Sequence, residues 1–436
     1  MSQVNPTSNF KLTSLIVGID GEDTMVGINN LLQLQYIEDI KSASTQIFIT
    51  ITDTAEGSLS KINGMEPVYI SFDDDQENTF TNTFIVYDVQ GRMIKDGKSK
   101  GTLCCCSPDL VNNAATKVSR RFGTGGGKQI DKIVGEDILT DLLATNRGVV
   151  VEPTKNKFSF ISSYWSPFTM IQYLASKAIP AEGKDSSNAS AGYAFFENAD
   201  GYIFQSYDKF ANDAAKDKIA YRFVAGFETA DIRPNSNKEY TDVSSLTVVE
   251  NGDILMGLNI GSFNSKVMTF DMMDLGYKEY DFNIHKYYNS VPKLNGDVKL
   301  PKYFDKFKKN TVPTRIMSKV IDTALYTEGT FTKDITKLLS QSSLREKLFY
   351  NKKVEIEFTG NILPRVGEIV ELTTYRGKER SLDTANSGIY VIGRIQREYI
   401  SSNDRMTTKM TLFTDSAGDV QSTSQTLDSS AEDIVK

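Results

Sequence analysis

Few residues in this sequence stand in arrangements that could do chemistry. The run Gly123-Thr124-Gly125-Gly126-Gly127-Lys128 invites a phosphate-loop reading. That loop needs a glycine four residues ahead of the Gly-Lys pair and Ser or Thr behind it, where this chain has Phe122 and Gln129. The run also follows a basic, helix-like stretch, 117–121, instead of a buried strand, so it reads as a connector. His285 is the sole histidine, which removes paired-histidine metal sites and makes any Ser-His-Asp or Cys-His arrangement depend on one residue at a strand end. Cys104, Cys105 and Cys106 are consecutive, with no second cluster to complete a four-thiolate site or a disulfide framework. On a strand their side chains alternate, so Cys105 points away from its neighbours and all three act as small apolar groups.

The acidic run Asp73-Asp74-Asp75 with Glu77 has oxygen donors for a hard cation but lacks the glycine and terminal glutamate of a calcium loop, so it reads as a solvated turn. Arg120-Arg121 and the 306–309 lysine cluster are short, and read as solvated faces or subunit contacts. Acids paired for glycoside cleavage can meet from anywhere in a fold, and nothing singles a pair out. Trp165, just before a helix start, is poorly placed as a sugar platform. The expectation is a protein that is not an enzyme, with no catalytic, cofactor-binding or metal-ligating residues.

Composition agrees with that reading. The 436 residues exceed what one core usually supports. Hydrophobic residues at 39% and charged residues at 24% are ordinary for a folded chain. With 49 basic against 56 acidic residues, the net charge of −7 leaves no cationic surplus for phosphates, which argues against tight nucleic-acid binding. Residues 1–11 lack the basic start and apolar run of a signal peptide, and no apolar stretch is long enough to span a membrane. A soluble protein made in a cytoplasm, with no membrane insertion, is expected.

The elements that would position any site are mostly strands. Short strands are predicted at 11–17, 31–40, 44–51, 68–72, 82–89 and 101–106, with Asp20-Gly21 and Gln90-Gly91 among the turns. Ile47, Ile49 and Ile51 share one face while Gln46, Phe48, Thr50 and Thr52 share the other, and many such strands suggest a closed or nearly closed barrel. From Pro108 the spacing of Leu110, Ala114, Ala115 and Val118 turns helical, and a second helix is predicted from Gly127 or Gln129 to Leu143. Ser166-Pro167 starts a helix over 168–178, with the serine expected to cap it. A hairpin follows, 193–197 and 202–206 around Asn198-Ala199-Asp200-Gly201. Further β-rich runs cover 244–284, with a turn at Asn251-Gly252-Asp253, and 353–413, with a helix at 333–350 between them. After Asp415 the chain turns polar and reads as a disordered tail or an arm that orders on binding.

Several of these segments, in order, resemble one family, the baseplate central hub of contractile-tailed bacteriophages, which is distantly like the spike hubs of type VI secretion. The carriers are Leu110-Val111-Asn112-Asn113 through Lys117-Val118-Ser119-Arg120-Arg121-Phe122 to Ile130-Asp131-Lys132-Ile133-Val134 and Asp137-Ile138-Leu139. To these add Ser166-Pro167-Phe168 with Ile171-Gln172-Tyr173-Leu174-Ala175 and Ala178, Phe195-Phe196-Glu197-Asn198 and Gly201-Tyr202-Ile203-Phe204-Gln205-Ser206. The last are Val354-Glu355-Ile356-Glu357-Phe358-Thr359-Gly360-Asn361, Leu363-Pro364-Arg365-Val366-Gly367-Glu368-Ile369-Val370 and Gly388-Ile389-Tyr390-Val391-Ile392. The similarity runs from Lys11 to Asp415, but 286–333 matches nothing in the family and 208–219 looks inserted.

The resemblance implies a mainly β fold with α+β insertions and two antiparallel β-barrel tube domains per chain. The first barrel would take 1–107, a mixed α+β domain 108–235, and the second, split barrel 236–285 with 345–416. An inserted mixed segment would occupy 286–344 and a polar tail 417–436. It further implies a homotrimer whose barrels form a pseudo-sixfold ring in the virion's tail baseplate. The implied partners are a trimeric central spike, tail tube or tube-initiator proteins, baseplate wedge proteins and a tape measure protein. DNA would only pass through the lumen, where an acidic lining would prevent sticking. The competing readings are a type VI or tailocin spike hub and a carbohydrate-binding or carbohydrate-cleaving tail protein.

Overall fold

The computed structural model describes residues 10–19, 22–26, 30–54, 57, 61–74, 78–95, 97–181, 192–226, 240–251, 254–261, 263–283, 292–295, 313–322, 345–376, 381–402 and 405–416. The fold is mainly β, and most of its strands belong to one 15-stranded sheet. That sheet contains the same strand path twice. The first unit runs, in spatial order, Leu31–Asp39, Gln46–Thr54, Lys98–Cys106, Thr79–Lys95, Pro67–Asp74, Phe10–Ile19, Glu22–Met25. The second runs Ser245–Asn251, Lys352–Thr359, Arg405–Thr414, Gly388–Ile400, Ile369–Arg376, Tyr221–Ala225, Thr241–Asp242.

Strict alternation builds both units, as in Lys352–Thr359, where every second side chain is buried. The inward residues form two separate cores, one around Tyr36, Ile49, Phe72 and Phe84, the other around Phe223, Ile356, Tyr390 and Leu412. The correspondence extends to details. Val86 and Glu66 bond through Val86 N to Glu66 O at 2.9 Å, and Ile392 N reaches Glu368 O at the same distance. A bulge then follows in each long strand, between Val86 and Asp88 and between Ile392 and Arg394.

Two expectations need correction. Neither strand path closes into a barrel among the described residues. The edge of Leu31–Asp39 that closure would use is taken instead by the second half of Gly388–Ile400, from Arg394 against Asp39 to Ile400 against Gln33, and this pairing fuses the two units. Nor is the sheet wholly antiparallel, since Tyr221–Ala225 runs parallel to both of its neighbours, whereas its counterpart Phe10–Ile19 is antiparallel to its own.

Partner choice also differs from the sequence reading. Asn264–Asp271 and Tyr277–Asn283, expected in the second barrel, pair with each other and with Arg315–Ile321 in a separate three-stranded sheet. Tyr221–Ala225, expected in the mixed domain, lies in the second unit. Alternation marks a strand but does not name its neighbour.

The mixed unit has its own core, where the hairpin Tyr193–Asn198 and Gly201–Ser206 and the helix Pro167–Ala175 meet the helical turns 130–142. Pro108–Ala115 is helical as its spacing predicts. The helix expected up to Leu143 is present, but Ile133–Leu142 is wound as a π-helix, with Leu143 N bonding Ile138 O five residues back. Ser166 holds the N-cap position of its helix but does not cap it: its hydroxyl turns to Thr169, and Asn113 accepts from Phe168 N at 2.7 Å instead. The stretch read as an insertion forms the helix Tyr207–Ala215, which Ser206 caps and which places Tyr207 and Phe210 in the second core. Of the helix expected at 333–350, residues 345–349 are helical and the remainder up to 344 lies outside the described residues, as do Asp20-Gly21, Gly252-Asp253 and 417–436.

Candidate functional site

The residues singled out for chemistry do not converge. The glycine run is a tight turn: Gly123, Gly125, Gly126 and Gly127 all have positive φ, and Gly127 N bonds Gly123 O. Lys128 is engaged, 2.7 Å from Asp137 and 2.9 Å from Glu136. Arg120 pairs with Asp141, and Arg121 donates to the Ser159 hydroxyl. Asp73 accepts from Thr13, and hydrogen bonds from Thr79 and Thr13 hold its carboxyl below the ordinary carboxylate range. Asp74 instead binds the Asn78 amide and side chain, closing the turn. Asp75, Glu77, His285 and the 306–309 lysines lie outside the described residues. Trp165 stacks among Phe160 and Tyr173. In a polar pocket beside Val150 and Glu152, Lys209 and Lys218 both pair with Asp213. Among the described residues no three His, Cys, Asp or Glu side chains gather as a metal site would require.

The cysteines sit in Lys98–Cys106, and all three are buried. Cys105 faces the first core, while the opposite face of the strand is covered as well. Burial, followed by the nearby Glu197, pushes the Cys106 thiol up to about 11, so it carries no thiolate at neutral pH.

What the fold does bring together are buried charges at the joints between its parts. At the seam of the two units, Arg397 and Glu38 are both fully buried. Arg397 donates to Ile362 O at 3.1 Å and Pro364 O at 2.5 Å, and its nearest approach to Glu38 is 3.8 Å. Glu38 accepts from Tyr36 Oη at 2.8 Å, Val366 N at 3.0 Å and Ala199 N at 3.3 Å. One carboxylate therefore ties the first unit to the second and to the mixed unit. Burial lowers the Arg397 guanidinium below its ordinary value, against the pull of Glu38, and burial raises the Tyr36 phenol.

Glu197, on the hairpin, ties the mixed unit to the first, accepting from Thr45 N at 2.8 Å and lying 3.2 Å from Arg147. Arg147 also reaches Asn82, Asn198 and Ala199. Burial pushes the Glu197 carboxyl above the ordinary range, with Arg147 pulling the other way. The third joint is Arg345, fully buried between Asp208 at 3.0 Å, Asp415 at 2.9 Å and Pro292 O at 2.7 Å. It fastens the Tyr207–Ala215 helix to the end of the last strand.

Sequence reasoning missed all of these. One signal was available: Leu34, Tyr36 and Glu38 share the inward face of one strand, and a charge at a core position demands a partner. Such joints tie the units to one another, and the groups they bring together contain no nucleophile–base pair.

No family model and no curated protein matches the sequence. Solved structures do match the fold. A tail protein from Neisseria meningitidis MC58 aligns over 93% of this chain and 96% of its own, at 9% identity and a TM-score of 0.55. The 43 kDa tail protein of prophage MuSo2 from Shewanella oneidensis aligns over 92% of this chain and 98% of its own, at 9% identity and a TM-score of 0.52. Across nearly its whole length, this chain has the fold of phage tail proteins.

Proposed function

We propose that this chain is a structural hub subunit of a contractile-tail baseplate, without enzymatic activity. Three copies form a ring in which each chain supplies two tube domains, one per seven-strand unit, giving pseudo-sixfold symmetry. One face of the ring meets the hexameric tail tube, the other the trimeric central spike, and DNA passes through the lumen. The observation that carries this reading is the repeated strand path, two like units side by side in one sheet, in a chain with a tail-protein fold. Symmetry matching requires complementary surfaces and no catalytic group, and a chain of two like units is the simplest device for presenting six positions from three subunits.

The test is native mass, measured for the protein alone and mixed with its cognate spike over a range of concentration and salt. The expected result is a mass of three chains, alone or as three hubs with three spikes. A strict monomer that ignores spike and tube at high concentration overturns the proposal and directs attention to glycan binding.

A further inference from the structure

The junction within the chain has two unused halves elsewhere on the same molecule. Gly388–Ile400 spends its first residues on Ile369–Arg376 and, past its bulge, turns the same edge to Leu31–Asp39. In the first unit the corresponding strand, Thr79–Lys95, spends its first residues on Pro67–Asp74, and among the described residues no strand pairs with that edge over 87–95. The counterpart of Leu31–Asp39 is Ser245–Asn251, which among the described residues pairs only with Lys352–Thr359 and leaves its other edge open.

Both open edges carry apolar side chains in solvent: Met93 is 55% and Ile94 61% exposed on one, Val248 37% and Val249 42% on the other. In the filled junction Tyr399 and Tyr36, the counterparts of Ile94 and Val248, are buried. Long exposed apolar edges are a hazard that folded proteins cover.

We propose that copies of this chain join head to tail by one antiparallel strand pairing, 87–95 of one copy against Ser245–Asn251 of the next, repeating between chains the junction made within each chain. The proposal rests on the ring reading and specifies its contact. Because two different edges meet, the contact is heterologous, and successive copies generate a ring if the rotation closes.

The register follows from the shared ladders. Met93 opposes Lys100 as Glu398 opposes Thr407, and Thr247 opposes Glu355 as Gln35 opposes Phe48. Glu398 faces Gln35 and Tyr399 faces Leu34 in the filled junction, so Met93 faces Thr247 and Ile94 faces Leu246 of the next copy. Main-chain bonds supply the attraction, and Ile94 on Leu246 supplies an apolar contact.

The test uses the full chain with cysteine pairs. Met93→Cys/Thr247→Cys and Ile94→Cys/Leu246→Cys are neighbouring pairs, one of which must be the close, non-hydrogen-bonded type. Under mild oxidation, at least one pair is expected to give inter-chain disulfides that end in a closed covalent ring. The offset pair Met93→Cys/Ser245→Cys should give at least tenfold less. Native cysteines are buried and do not compete. As a second measurement, Ile94→Asp, at a side chain that stands in solvent in the monomer, should weaken association at least tenfold while leaving the circular dichroism of the monomer unchanged.

An assembled wild type in which neither pair cross-links and Ile94→Asp has no effect overturns this contact and leaves the ring reading standing. A disulfide confined to one chain overturns it too, because the edges then cover each other internally. A wild type that never assembles overturns both.

Discussion

At the scale of single residues, the fold depends on charges placed where apolar groups would be easier to bury. Arg397 is held by Glu38 and two carbonyls, and removing one member of a buried charge pair strands the other. Arg397→Met is therefore expected to cost about 3 kcal/mol, read as a lower denaturant midpoint with unchanged slope. Lys177 shows the reverse case. Burial, with Lys319 nearby, lowers its ammonium from 10.5 to about 8, although the Tyr173 ring lies 3.5 Å from its nitrogen. A depressed lysine costs stability at neutral pH, and stability returns as pH rises from the folded value to the unfolded one. Lys177→Met should stabilise by about 2 kcal/mol at pH 7. That gain should fade between pH 8 and pH 10.5, as followed by denaturation at several pH values.

At the scale of elements, the hairpin Tyr193–Asn198/Gly201–Ser206 was legible because aromatics flank a turn ending in Asp-Gly. Its further partner was not: Gly148–Val151 lies parallel to the second strand, and Gly201 with φ +139° sits against the Gly148 backbone. An alanine Cβ there would stand 2.0 Å from Gly148 O. Gly201→Ala should cost about 3 kcal/mol and raise amide exchange across Gly148–Val151 and Gly201–Ser206, while the two large-sheet cores keep their protection. The helix at Pro167 teaches the same lesson. Ser-Pro located its start, but Asn113, from another helix, accepts the free amide that the serine was expected to take.

At the scale of the whole molecule, two like units share one sheet because a long strand in each has more edge than its own unit uses. In the second unit the surplus meets the first unit; in the first unit, among the described residues, it lies open over 87–95. One junction would then serve both as the internal joint and as the proposed contact between copies; the mass of three chains expected from the native-mass experiment comes from the ring reading. The sequence by itself determined the strand-rich class, the inward and outward faces and several helix and turn positions, because these follow from local periodicity and from the special backbones of glycine and proline. It also carried a resemblance to phage tail machinery, and the fold matches that of two tail proteins. Only the tertiary structure decided which strands pair, that neither unit closes into a barrel among the described residues, and that Glu38, Glu197 and Arg345 fasten the parts together. Those outcomes depend on contacts between residues far apart in the chain, and alternation along one strand carries no information about its neighbour.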